Sequence, residues 1–334
     1  MEARTITRGW TMAREPLTRA EFLKILAAGA GGIVFLRGSE DALAAITGVD
    51  DDLDEAALNG DVTRAAALPY MTVVHGTPID VNVKTAIARL GGMRRFVGTG
   101  DDVIIKPNIC AARAPQFAAT TNPVVVATLV RLARGAGASR VRVMDNPIST
   151  NPGSCYSASG ISAAVKAAGG SMQVMSGSRY QTYDLPGSLL GRHPVYRDMV
   201  DCDVLINVPI AKVHGSTGLT LAGKNMMGAT SDRGRMHTKG LSRSIAELNA
   251  KLKPELTVID AVRIMVANGP TGGSLDDVRR KDVVIACKDW VAADAYATRL
   301  FGRTPSYVPY IEAAAQMGLG KASLSGLDIK KYEV

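Results

Sequence analysis

The sequence predicts an α/β protein: a mostly parallel sheet with helices on both faces, assembled from βαβ units. Three observations carry this. After Pro69, short runs rich in β-formers alternate with Ala-rich runs of helical spacing. The β-rich runs are apolar almost throughout, as parallel strands covered on both faces must be. The chain also holds 34 glycines and 15 prolines, enough to punctuate many strand-to-helix turns.

In order, the predicted strands are MTVVH (71–75), DVIIK (102–106), RVRVM (140–144), DVLINV (203–208), LTVID (256–260) and DVVIAC (282–287). Each is a short β-branched run bounded by turn formers. Predicted helices cover 81–90, 123–134, 161–168, 242–253 and 290–301, where apolar residues recur at helical spacing. Asn122-Pro123 supplies a capping residue followed by a first-turn proline.

Upstream of this body, residues 1–44 read as an export-type leader. Basic residues precede an apolar stretch flanked by Lys24 and Arg37, too short to cross a bilayer comfortably, and Ala42-Leu43-Ala44 follows as a small-x-small pattern. The segment around Thr18-Arg19-Ala20 resembles a degenerate twin-arginine signal in which Ala20 replaces the second arginine. The alternative is an amphipathic or buried helix. Residues 45–69, with Asp50-Asp51-Asp52, read as a polar linker, leaving one domain over 70–330. The expected location is periplasmic or membrane-associated, with a membrane tether through the leader.

At 334 residues and 46% hydrophobic, the chain can bury a sizeable core, and wholesale disorder is excluded. Its 39 Lys and Arg against 31 Asp and Glu give a net charge of +8. The basic residues are scattered among carboxylates with few aromatics, so a nucleic-acid partner is not expected and a small anionic molecule is. Cys110, Cys155, Cys202 and Cys287 form no C-x-x-C pair and read as buried thiols.

Ligands of open α/β sheets bind beyond the carboxyl ends of strands. Those ends are polar here: Lys106-Pro107-Asn108, Asp145-Asn146-Pro147, Lys212-Val213-His214 and Asp260, with Thr121-Asn122 opening a helix and Asn268-Gly269-Pro270-Thr271-Gly272 in a later loop. The expectation is one rim. There Lys106, Asn108, Thr121, Asn122, Lys212, Lys224, Asn225, Asp260, Gly269 and Gly272 hold an anionic ligand or cofactor. His214, His237 and Asp145 handle protons, and His237 is also a candidate metal ligand. His75 and His193 read as structural. The run 218–224 satisfies G-x-x-x-x-G-K, but Asn225 stands where a nucleotide-binding loop needs Ser or Thr, so ATP binding is not expected.

These residues resemble the domain of unknown function 362 family. The landmarks, in order, are VIIKPN (103–108), TTNP (120–123), INVPIAKVHG (206–215), GKNMMG (223–228), Asp232-Arg233 with His237, TVIDA (257–261), NGPTGG (268–273) and DWVAADAYA (289–297). The resemblance implies export signals in many members and a cysteine-rich ferredoxin segment in some, a segment without a counterpart among these cysteines. A more distant similarity is to nickel-pincer lactate racemase. It implies a histidine ten residues before a cofactor-holding lysine, matched by His214 and Lys224, and a metal-ligating histidine, matched by His237. The racemase's other catalytic histidine has no counterpart, since Asp145-Asn146-Pro147 stands there. The cofactor is thus left open, with a nickel-pincer-type or other metal group among the possibilities. The leading functional expectation is isomerase-like proton transfer on a small anion. The alternatives are a non-catalytic periplasmic binding or maturation protein, and a redox accessory protein associated with an iron–sulfur partner.

Overall fold

The structure, a computed structural model, describes residues 67–149 and 151–334. The leader over 1–44, and all of the 45–69 linker except its last three residues, lie outside the described residues. The strands are β1 (Met71–His75), β2 (Asp102–Pro107), β3 (Arg140–Val143), β4 (Ser171–Met172), β5 (Tyr180–Asp184), β6 (Arg192–Tyr196), β7 (Val204–Val208), β8 (Ile210–His214), β9 (Gly218–Thr220), β10 (Leu256–Met265), β11 (Val278–Cys287) and β12 (Ile329–Glu333). The helices are α1 (Ile79–Arg89), α2 (Pro123–Gly135), α3 (Pro152–Ala158), α4 (Ile161–Ala167), α5 (Arg197–Asp201), α6 (Ala222–Asn225), α7 (Arg233–Lys239), α8 (Leu241–Leu252), α9 (Trp290–Ala297) and α10 (Pro309–Gln316).

The main sheet has the order β12-β1-β11-β10-β7-β2-β3-β4, and β5 and β6 form a separate antiparallel pair. Within that order only β11 runs against the rest, pairing antiparallel with both β1 and β10. The sheet is therefore mostly parallel and mixed. Alternation along each strand sends Val103, Ile105, Ile206 and Val258 to one face, where they pack with Val83 and Ile87 of α1 and with Val126 and Leu129 of α2. Ile104, Leu205 and Ile259 go to the other face, against Ile245 and Leu248 of α8 and Val291 of α9. Both faces are covered, which explains why β7 is buried at every position.

Two expected strands differ from the structure in ways that matter for the site. The strand over 256–260 continues to Met265 because Ala261-Val262-Arg263-Ile264-Met265 goes on pairing with β11, so Asp260 is a mid-strand residue. The strand over 282–287 begins at Val278 and is the antiparallel member, so its carboxyl end lies at the opposite edge.

The decisive feature is the continuation of β7 into β8 through Pro209. β2 leaves the sheet at Pro107, opposite Val208. Past that point β8 pairs with β10 on one side and turns back through β9 on the other. β8 thus projects beyond the end of β2 and forms one wall of a pocket.

Candidate functional site

The pocket has a volume of about 270 Å³, close to the lower end of small-molecule sites. The expected residues Asn108, Asp145, Lys212, His214, Lys224, Asn225 and His237 line it, together with Cys110, Thr220, Met227, Gly228 and Arg233. Lys212 and His214 are two apart on β8, and their register partners on β9 are Thr220 and Gly218. Residues two apart, and residues directly opposite on a ladder, share a face, so Lys212, His214 and Thr220 are presented together. On the other side, Asp232 caps α7 by accepting from the Arg235 N–H at 3.0 Å. That helix places Arg233 and His237 four residues apart on one stripe.

The floor is a connected polar network. Lys106, with no exposed surface, donates to Asp145 Oδ1 at 2.6 Å, to the Pro107 carbonyl at 3.2 Å and to Asn225 Oδ1 at 3.4 Å. Asp145 Oδ2 accepts from the Ile109 N–H at 2.6 Å, so both carboxylate oxygens are engaged. Asn225 donates to Asn207 Oδ1 at 2.8 Å and accepts from Asn108 at 3.0 Å. Asn108 in turn accepts from Lys212 at 2.9 Å. A methyl group on Gly228 would collide with Asp145 Oδ1 and lie 2.8 Å from Lys106 Nζ, so only glycine lets this turn close over the ion pair. Gly223 is required in the same way: a Cβ there would sit 2.5 Å from Trp290. We expect Gly223→Ala to displace Lys224 and lower stability by about 1–3 kcal/mol, measured by chemical denaturation.

Comparison with known proteins bears on this arrangement. A family described as domain of unknown function (DUF362) matches residues 103–299, the span that contains every pocket element from β2 to α9. The chain belongs to the DUF362 family. A thylakoid-associated protein from Synechocystis sp. is 26% identical over 246 residues, which cover 71% of this chain and 74% of that protein. Among solved structures, the lactate racemase apoprotein from Thermoanaerobacterium thermosaccharolyticum is similar with a TM-score of 0.44 and 12% identity. The match covers 67% of this chain and spans 55% of the racemase chain.

The remaining expected residues of this DUF362 protein lie behind the pocket wall. Thr121 Oγ1 accepts from the Asn108 N–H at 2.8 Å and donates to the Val208 carbonyl at 2.8 Å. The N-terminus of α2, anticipated as an anion site, is filled by the chain itself. Asp260 accepts the Asn122 N–H at 2.6 Å, and the Asn122 side chain accepts the Val124 N–H at 2.9 Å. Burial raises the Asp260 carboxyl to about 6. Gly269 packs against the Val213 carbonyl and Gly272 against the Met265 side chain; of that loop, Pro270 reaches the pocket. His193 is fully buried and its Nε2 is 2.9 Å from Thr230 Oγ1. His75, by contrast, is exposed beside Glu333.

Counting hydrogen-bond donors separates the cations. An ammonium group has three N–H donors. Those of Lys106 are met as above, and those of Lys212 go to the Ala119 carbonyl at 2.6 Å, Asn108 Oδ1 and Cys110 Sγ at 3.1 Å. Arg233 ties down the carbonyls of Met227, Pro147 and Asn146. Lys224, in contrast, makes no hydrogen bond or ion pair to any described residue; burial, Arg233 and Lys212 push it down to about 8. Lys106, Lys212 and Arg233 are thus each held by acceptors of the chain, whereas the Lys224 ammonium has none among the described residues.

The two histidines differ in the same way. Ser216 donates its backbone N–H to His214 Nδ1 at 3.1 Å, which assigns the ring proton of neutral His214 to Nε2. Burial, Lys224, Lys212 and His237 hold this ring down to about 4, so at neutral pH it is a hydrogen-bond donor with no spare lone pair. His237 makes no such bond to a described residue, and burial and Lys224 lower it too, leaving an uncharged ring free to accept a proton. Among the described residues no three His, Cys, Asp or Glu side chains converge to form a metal cage. A metal at His237 would need its other donors from a cofactor.

Sequence reasoning missed Thr220, read Cys110 only as a buried thiol, and met Gly228 and Arg233 only as family landmarks. The four-residue spacing of Arg233 and His237 was a readable signal. Thr220 depends on the β8–β9 pairing, which no short-range pattern in the sequence reveals.

Proposed function

We propose that this DUF362 pocket binds a small molecule bearing a carboxylate or phosphate and moves a proton on it. Lys224 pairs with the anionic group, His214 Nε2–H donates to an oxygen of the ligand, and His237 accepts the proton. The observation that carries the reading is Lys224, a half-buried lysine without a partner among the described residues, in a pocket where the one carboxylate among the described lining residues is already spent on Lys106 and Ile109. Leaving such a charge unpaired costs free energy, and a bound anion is the compensation.

Sulfate is a suitable probe because its charge is constant across the relevant pH range. Lys224 is protonated below about 8 and loses its charge above it. Calorimetric titration is expected to show sulfate affinity falling about tenfold between pH 7.5 and 9.5. Affinity that stays flat to pH 10 would assign the binding to groups other than Lys224. Proton transfer is tested by NMR, following deuterium uptake at the α-carbon of small 2-hydroxy carboxylates in D2O. Retained binding without any exchange would favour the alternative, a protein that holds its ligand without turnover.

We further infer membrane-associated or exported placement through residues 1–44. The order of charge, apolar stretch and small residues supports it, as does the thylakoid association of the 26%-identical relative. No helix among the described residues is long and apolar enough to cross a membrane. Fractionation of cells expressing the full chain, compared with a chain lacking 1–44, should move the protein from the membrane or exported fraction to the cytoplasm. An unchanged distribution would remove the leader from this role.

A further inference from the structure

The Lys212 hydrogen bonds single out one of the four thiols. The third Lys212 donor goes to Cys110 Sγ at 3.1 Å, and Cys110 lines the pocket while remaining only 9% exposed. The others are placed differently. Cys155 is fully buried, burial pushes Cys202 and Cys287 up to about 12, and none of the three lines the pocket. The Cys110 sulfur also lies 3.4 Å from the Ala119 carbonyl and 3.6 Å from the Pro270 carbonyl, so the thiol can donate while it accepts from Lys212, and the ammonium beside it stabilises negative charge on sulfur once that proton leaves.

A second observation marks the same place as a ligand site. Thr220, 3% exposed, shares the Lys212 face of the β8–β9 ladder and lines the pocket, yet its hydroxyl has no hydrogen-bond partner. A buried hydroxyl without a partner is costly, and here the polar groups nearby are committed to one another. A ligand seated between Lys224 and Cys110 would supply what Thr220 lacks.

We propose that Cys110 is a nucleophilic thiol of this pocket, its sulfur addressed by the Lys212 ammonium, and that it forms covalent adducts with small anions carrying an electrophilic carbon close to the charged group. The proposal rests on reading the pocket as an anion site. Lys224 draws in and orients the anion, and Thr220 donates to one of its oxygens. With iodoacetate as the probe, the thiol proton passes to solvent and the sulfur lone pair forms the S–C bond. The C–I bond breaks as iodide leaves with its electron pair. Lys212 remains an ammonium throughout.

The experiment compares alkylation of the full chain by iodoacetate and by neutral iodoacetamide, using intact mass and peptide mapping, with and without sulfate. Electrostatic attraction into a cationic pocket should make iodoacetate at least about tenfold faster than iodoacetamide at Cys110, with protection by sulfate. Cys110→Ser should remove the fast adduct. Lys224→Met should erase the preference for iodoacetate and leave the iodoacetamide reaction in place, because Lys212 is untouched. The same thiols alkylated after urea unfolding give the accessible total. If Cys110 resists both reagents while sulfate still binds by calorimetry, the nucleophile is overturned and the anion pocket stands. If Cys110 reacts with both at rates that favour iodoacetamide and ignore sulfate, the steering is overturned and the anion reading falls with it.

Discussion

Replacing Lys224 with methionine should abolish sulfate binding and, without ligand, raise thermal stability. The two effects have one cause. Lys224 is pushed down from 10.5 to about 8 because its charge is partly buried beside Arg233 and Lys212. Between those two values the unfolded chain holds more protons at this position than the folded chain, so stability rises with pH across that window. Below about 8 the full cost of the buried charge is present. Methionine removes it while keeping an apolar stem of similar volume, for a gain on the order of 1–3 kcal/mol at pH 7. Each kcal/mol is worth roughly 2–4 °C in a domain of this size. A lysine held for structural reasons by a carboxylate would behave in the opposite way, and Lys224→Met would then melt earlier. Scanning calorimetry with and without sulfate separates the two outcomes. A destabilised variant that still binds sulfate would end the anchor role.

Asp145→Asn should carry the largest stability cost at the site, about 3–5 kcal/mol. Lys106 has no exposed surface, and Asp145 is the anion that compensates it at 2.6 Å. Asparagine still offers an oxygen to the Ile109 N–H, so the loss falls on the charge pairing. Burial already lowers Lys106 despite its partner. Without that partner it falls further, so the variant should be weakest at low pH and recover as pH rises and Lys106 gives up its proton. Adding Lys106→Met to Asp145→Asn removes the stranded charge and should restore most of the lost stability. Urea denaturation of the two single variants and the double variant gives the coupling energy directly. Additive single effects would show that Lys106 and Asp145 do not stabilise one another.

The sheet was legible from local pattern because its strands are apolar on both faces and bounded by turn residues, a property of the chain itself. VIIKPN and INVPIAKVHG therefore place Lys106, Asn108, Lys212 and His214 at strand ends from the sequence alone. The short strands β5, β6 and β9 were not legible, since five or fewer residues of mixed polarity carry no period strong enough to read. The direction of β11 was also hidden. An apolar run looks the same whichever way it enters the sheet.

Which of the polar strand ends face one pocket was decided by tertiary structure. Asp260 and Asn122 have the composition of a binding site, but they are spent on each other because β10 runs on to Met265 and packs its middle beneath the start of α2. Asp145 has the composition of a base, and both its oxygens are used. Lys224, Lys212 and Lys106 are chemically identical in the sequence. They become a lysine without a partner among the described residues, the partner of a thiol and half of a buried ion pair because of the acceptors that lie around each in space. The sequence by itself determined the fold class, the family and the set of residues from which a site could be built. Only the packed chain decided which of them are left with unmet valence, because a polar group is free or satisfied according to neighbours that lie tens of residues away.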